Sequence, residues 1–123
     1  NWNGAGLHTN FSTRKMRCEQ EGATMIQTAI SRLADKHSEH ISLYGENLNE
    51  RLTGQFETAP IDSFSWGAGS RTTSIRVPLQ VVKNGYGYLE DRRPGANAGP
   101  YLIAARIISS IEQLNEKEVW ENQ

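Results

Sequence analysis

Cysteine is nearly missing from this 123-residue sequence, and so is any excess of one charge. A single thiol, Cys18, cannot close an internal disulfide, which suits a reducing compartment and a cytoplasmic location. Lys and Arg total 13 against 14 Asp and Glu, so no bulk charge draws the chain to nucleic acid or to an anionic membrane. No apolar run approaches the length of a spanning helix, and nothing resembles a signal peptide. Internal repeats and low-complexity segments are also lacking. What remains is one domain or part of one, long enough to bury a core. The chain opens on Asn1 and enters Trp2-Asn3-Gly4-Ala5-Gly6 at once, an abrupt start that reads as a piece of a longer protein.

Two segments carry unusual side chains for strands. Successive residues of a strand point to opposite faces. In Leu7–Ser12 that puts Leu7, Thr9 and Phe11 on one side and His8, Asn10 and Ser12 on the other. In Gly85–Pro94 it groups Tyr88, Glu90 and Arg92 against Leu89, Asp91 and Arg93. A ring, a carboxylate and a guanidinium in a row suit a cavity for a flat base, a metal ion and an anionic group. On alternation alone, a solvent-facing strand with paired charges is the better reading. The second segment with the same habit makes two walls of one site the sharper one.

The remaining elements follow from periodicity and punctuation. Ser12 and Thr13 are N-cap types before a short helix over 14–17. Met25, Ile26, Ala29, Ile30 and Leu33 form the apolar stripe of a helix over 23–36. His37 and His40 sit three apart and read as structural rather than as a metal pair. Leu48 and Leu52 suggest a helix over 47–53 closed by Gly54. Residues 55–69 lack a period and read as a long loop, of the kind that serves as a lid. Over 70–78, Thr73, Ile75 and Val77 make a core face, with Thr72, Ser74 and Arg76 opposite. Asn84-Gly85 signals a hairpin from there into the Tyr88 strand. A tight turn would pair Arg76 with Arg93, the wrong face from Glu90, so a bulge or a longer connection is expected, with Pro78 as its place. Residues 95–99 form a loop. Pro100 then starts a helix whose apolar face is Leu102, Ile103, Ile107, Ile111 and Leu114, before a tail that is polar apart from Val119 and Trp120.

Five stretches in series resemble glutamine synthetase of the large type shared by eukaryotes and some bacteria. They are Trp2–Thr13, Arg51-Leu52-Thr53-Gly54, Glu57-Thr58, Ser74-Ile75-Arg76-Val77-Pro78 and Tyr88–Pro94, in the family's order over nearly the whole chain. The resemblance implies an α+β fold, with antiparallel strands of the catalytic domain flanked by helices and incomplete in this chain. Residues 1–123 would be the C-terminal part of that domain, without the N-terminal β-grasp domain and the first catalytic strands. It implies an enzyme that makes glutamine from glutamate, ammonia and ATP through γ-glutamyl phosphate, using Mg²⁺ or Mn²⁺, in a ring-shaped homo-oligomer. By resemblance His8 and Glu90 ligate a metal, and Asn10, Ser12 and Arg17 lie on the nucleotide side. Tyr88 matches the aromatic that packs on adenine, and Arg51 the arginine that holds the glutamate carboxylate. Arg71, Arg76 and Arg92 match those around the phosphates and the transferred group. Glu57 matches the flap glutamate that closes the site and accepts the ammonium proton.

Duller roles compete with these. Ser12 serves equally well as a cap, and Arg17 as a solvated helix residue. Arg71 precedes the strand proper. Asp91 and Arg93 read as a structural ion pair, and Trp66 and Trp120 as packing residues. Phe56, Trp66, Ser70–Thr73 and Gly95 depart from the family's usual residues, but none of these departures removes a group with a chemical role. Hard divalent cations want about six ligands, and His8 and Glu90 supply two. The isolated chain is therefore expected to bind metal weakly and to be inactive. Missing strands would leave an open sheet edge and self-association. A non-catalytic module and a γ-glutamyl ligase for another amine are the alternatives, and the retained Glu57-Thr58 favours ammonia.

Overall fold

The computed structural model describes residues 6–55 and 57–114. Trp2–Ala5, Phe56, and the tail with Val119 and Trp120 lie outside the described residues. The order of elements is β1 (Thr9–Phe11), α1 (Gly22–Asp35), α2 (His37–Leu43), α3 (Leu48–Arg51), β2 (Trp66–Ala68), β3 (Ile75–Val77), α4 (Leu79–Asn84), β4 (Leu89–Asp91) and α5 (Pro100–Glu112). The fold is α+β, with a four-stranded sheet in the order β1-β4-β3-β2. β4 runs antiparallel to both of its neighbours, whereas β2 and β3 are parallel.

Helix α1 forms because its apolar residues recur every three to four positions, and that stripe (Ile26, Ala29, Ile30, Leu33) is the side it buries. Helix α5 starts on Pro100, whose missing N–H costs nothing at a helix entrance, and buries Ile103, Ile107 and Ile111. The two helices pack together, and α2 packs on α5. Beneath them Ile75 and Leu89 of the sheet are fully buried, as are Met16, Leu33 and Tyr44. Each large apolar side chain removed from water contributes about 1.5–3 kcal/mol.

Several expectations are corrected. Residues 14–17 form a hydrogen-bonded turn rather than a helix, with the Met16 N–H donating to Thr13 Oγ1 at 3.2 Å. The helix over 47–53 contracts to the single turn of α3. The stretch 55–69 is not all loop, because β2 closes it. Within 70–78 only Ile75–Val77 pairs as strand. Ser74 is buried there because it exchanges bonds with Ser65, whose N–H donates to Ser74 Oγ at 3.1 Å while the Ser74 N–H donates to Ser65 Oγ at 3.2 Å. Leu102, expected on the apolar face, is 38% exposed.

Asn84-Gly85 is not a hairpin turn. Pro78 opens α4, and Gly85 ends it with φ +80° and its N–H on Val81 O at 2.8 Å. The left-handed torsion that suits a tight hairpin equally suits a helix C-terminus, and here the helix takes it. This longer connection sets the register, which pairs Arg76 with Glu90 and Ile75 with Asp91.

On the core side of β4 lies a fully buried ion pair. Arg93 Nε donates to Asp91 Oδ1 and Nη2 to Oδ2, both at 2.9 Å. Tyr44 Oη donates to Asp91 Oδ2 at 2.8 Å, so it must accept from His40 Nδ1–H at 2.6 Å. His40 Nε2 is then the acceptor for the Ser110 hydroxyl at 2.6 Å. Arg93 Nη1 donates to His37 Nδ1 at 2.8 Å, leaving His37 Nε2–H for Ile61 O at 2.8 Å. Both histidines are therefore neutral structural groups. Burial, joined by the Arg93 charge, pushes the His40 pKa down to about 3. Burial alone would raise the Asp91 carboxyl, but the Arg93 guanidinium more than offsets it and holds that carboxyl low.

No helix among the described residues is long and apolar enough to cross a membrane.

The unfolded chain takes a proton on His40 below its ordinary value of 6.5, whereas the folded chain refuses it until about 3. The stabilising contribution is therefore complete above pH 6.5 and is lost as pH falls towards 3. Urea unfolding should show lower stability at pH 5 than at pH 7.5. His40→Gln should flatten that slope by up to about 1.4 kcal/mol per pH unit. An unchanged slope would rule out a buried neutral His40. Asp91→Ala should cost about 3–5 kcal/mol in the same assay, because Arg93 is left buried without a counter-charge.

Candidate functional site

The register lines up Asn10, Glu90 and Arg76 across β1, β4 and β3. The adjacent row, Thr9, Asp91 and Ile75, faces the core. Glu90 is therefore held between Leu89 and Asp91, both fully buried, and its side chain emerges on the opposite face at 17% exposure. His8 lies one residue before β1, and its Nδ1 stands 3.8 Å from Glu90 Oε1. The predicted pair is thus brought together from distant parts of the sequence.

Burial first, and then the Arg92 charge, push the His8 pKa below 6.5, while Glu90 pulls the other way. A neutral imidazole with a free lone pair beside a carboxylate is a fitting donor set for a hard or borderline divalent cation. It is a partial set, since no group of three or more His, Cys, Asp or Glu that could hold a metal occurs among the described residues. Arg92 Nη1 donates to Glu90 Oε1 at 2.6 Å and takes one of its lone pairs.

Asn10, Phe11, Ser12, Arg17, Gly87 and Tyr88 line an open cleft of about 400 Å³, within the range of small-molecule sites. Arg17 Nη1 donates to Ser12 Oγ at 2.6 Å. Ser12 therefore faces the cleft, and the following turn is capped by Thr13. Tyr88 stands at 42% exposure. Larger depressions of about 700 and 430 Å³ run along the outer face of α1 and past the end of α5, lined by neither the metal pair nor the nucleotide-side residues. The residue chemistry favours the smaller cleft.

The arginines divide into anchored and free. Arg51, on α3, is 6% exposed, and its Nη2 donates to the carbonyls of Arg92, Arg93 and Pro94 at 3.2, 2.7 and 3.0 Å. Burial and then the neighbouring Arg92 charge lower its pKa. Arg92 Nη2 donates to the Glu57 carbonyl at 3.3 Å. Arg71 precedes β3 at the exposed rim and meets Glu57 Oε1 at 3.3 Å. Glu57 itself has φ +59°, a left-handed conformation that costs a non-glycine residue about 1–2 kcal/mol. Among the described residues Arg51, Arg76 and Arg92 each bury an Nε–H without an acceptor, and an anion would satisfy such donors. Arg106 of α5 does the same away from the sheet, so unmet donors alone do not mark the site.

Sequence reasoning passed over Tyr44, which ties the core side of β4 to α2. Its signal was an aromatic four residues after His40, where helical neighbours meet.

The profile of the family described as "Glutamine synthetase, catalytic domain" matches residues 1–117. A mimivirus protein named "Putative glutamine synthetase" is 54% identical over 110 residues, covering 89% of this chain and 31% of that protein. The glutamine synthetase of Colletotrichum gloeosporioides is 52% identical over 110 residues, covering 89% of this chain and 30% of its own length. A carrot protein named "Glutamine synthetase, chloroplastic" is 56% identical over 106 residues, covering 86% and 24%. The chain thus spans under a third of the length of these relatives. With a match over nearly its whole length and an α+β sheet of the expected kind, the chain belongs to the glutamine synthetase catalytic-domain family.

Proposed function

We propose that these residues form part of the active site of an ATP-dependent glutamate–ammonia ligase, which makes glutamine through γ-glutamyl phosphate. The observation that carries this reading is the approach of His8 to Glu90, on the same face as the cleft bearing Tyr88. His8 and Glu90 would hold a Mg²⁺ or Mn²⁺ ion. When bound, such an ion supplies the positive charge against which phosphate oxygens align.

The chain's own residues do the rest. Tyr88 offers a ring face to a base, and Asn10, Ser12 and Arg17 offer polar groups to the nucleotide. Arg76 and Arg92 stabilise the charge on the transferring phosphoryl group, joined by Arg71 from the rim. Arg51 uses one amino group to anchor the end of β4 and keeps the other for the carboxylate of glutamate. Ammonia attacks the acyl carbon of γ-glutamyl phosphate, phosphate departs, and Glu57 takes the proton released from nitrogen. The loop carrying Glu57 shields the acyl phosphate from water. Its acidic side chain suits ammonia better than a bulkier amine.

The other cation donors would come from the remainder of a subunit of the relatives' length, and a neighbouring subunit of a ring would complete the site. We place the protein in the cytoplasm on its cysteine usage, although one relative is named as chloroplastic.

These 123 residues alone should bind Mn²⁺ and ATP more weakly than micromolar and turn over nothing, as read by isothermal titration; micromolar binding would overturn this. In the full-length protein, His8→Ala and Glu90→Ala should each weaken Mn²⁺ binding and cut kcat by about 100-fold or more. Tyr88→Ala should raise the KM for ATP several-fold with little change in kcat. A biosynthetic assay offering ammonia against larger amines tests the acceptor, and no glutamine formed would sink the ligase reading.

A further inference from the structure

We propose that Gly6 is a positioning residue: the lack of a side chain there sets where the His8 imidazole lies, beside an Arg51 guanidinium fixed by its own hydrogen bonds. The inference rests on the metal role given above to His8 and Glu90.

Gly6 is held in place by an antiparallel bridge to Gly95, and the next residue, Leu7, donates its N–H to Pro94 O at 2.9 Å. A Cβ at position 6 would stand 2.9 Å from Arg51 Nη1, 3.1 Å from His8 Nε2 and 3.2 Å from His8 Cδ2. All three separations are shorter than ordinary carbon contacts. Gly6 is not among the positive-φ residues, so the close approach rather than a backbone torsion calls for glycine.

Of the three groups that would collide, two cannot yield. The backbone of residue 6 is fixed by its pairing with the 94–95 segment. Arg51 is buried, and its Nη2 is tied to three consecutive carbonyls. The His8 side chain is 38% exposed and is the part free to swing. Its Nε2 edge packs on Gly6 while its Nδ1 faces Glu90, so any side chain at position 6 turns Nδ1 away from the carboxylate. Gly6 thus orients the imidazole by contact, much as a hydrogen-bond partner orients other metal-ligating histidines.

The test compares Gly6→Ala with Gly99→Ala in the full-length protein. Among the described residues a Cβ at Gly99 meets only Leu102, at 3.7 Å, an ordinary contact. Mn²⁺ binding is followed by electron paramagnetic resonance titration, fold by far-UV circular dichroism and thermal melting, and His8 by a crystal structure of the variant. Gly6→Ala should weaken Mn²⁺ about tenfold or more, with a native melting profile and the His8 ring rotated away from Glu90. Gly99→Ala should leave Mn²⁺ affinity unchanged. Wild-type Mn²⁺ affinity in Gly6→Ala, an unmoved His8, or general unfolding of that variant would each overturn the proposal. If His8→Ala itself leaves Mn²⁺ affinity intact, it is the metal reading that fails, and the two failures are told apart.

Discussion

The bidentate pair between Asp91 and Arg93 is the interaction on which the rest of the site depends. Both residues are fully buried on the core side of β4, and each would be costly there alone. Together they fix which way the strand faces, since a slip of one residue would turn Asp91 outward and Glu90 into the core. Tyr44, His40 and Ser110 extend the same clamp to α2 and α5. The helices therefore hold the alternation of β4 from behind, and the polar face in front, with Glu90, is a consequence of it. A buried ion pair is weak support for stability, but it is well suited to specifying a register.

Much of this was legible in the residues. The stripes of α1 and α5 are strong because each buries several aliphatic residues at helical spacing, and local pattern and tertiary packing agree. The two faces of β1 and β4 were readable from alternation, including which side would carry His8, Asn10, Glu90 and Arg92. That β1 and β4 are neighbours was not readable from periodicity, because pairing between distant strands leaves no local trace. Strand β2 escaped notice for a related reason: Trp66-Gly67-Ala68 is short, holds a glycine, and is made a strand by β3 alongside it. Asn84-Gly85 misled because one torsional preference serves two kinds of chain reversal. Pairings such as His40 with Ser110 and Ser65 with Ser74 depend on geometry that no spacing rule reports.

The site combines rigid and adjustable parts in a way its composition explains. Glu90, Arg51 and Arg92 are set by strand register and buried hydrogen bonds. Glu57 and Arg71 meet at the rim with both side chains well exposed, where an ion pair is worth at most about 1 kcal/mol. The rim contact can therefore open and close at little energetic cost while the interior stays fixed. On the function proposed above, that division suits chemistry needing accurate placement of charge and a removable cover.

The pairing of β1 with β4 joins segments far apart in sequence, Asn10 lying opposite Glu90. Such non-local contacts are slow to form, because the intervening loop must lose its freedom before the pairing rewards it. During synthesis the His8 imidazole emerges long before the Glu90 carboxylate that faces it. On the metal role proposed for His8 and Glu90, a cation would have only one of the two donors until β4 has been made, and it could not act as an early template for folding. The clamp obeys the same order, since Asp91, Arg93 and Ser110 all follow Glu90, so the clamp and the facing pair mature together once β4 and α5 are in place.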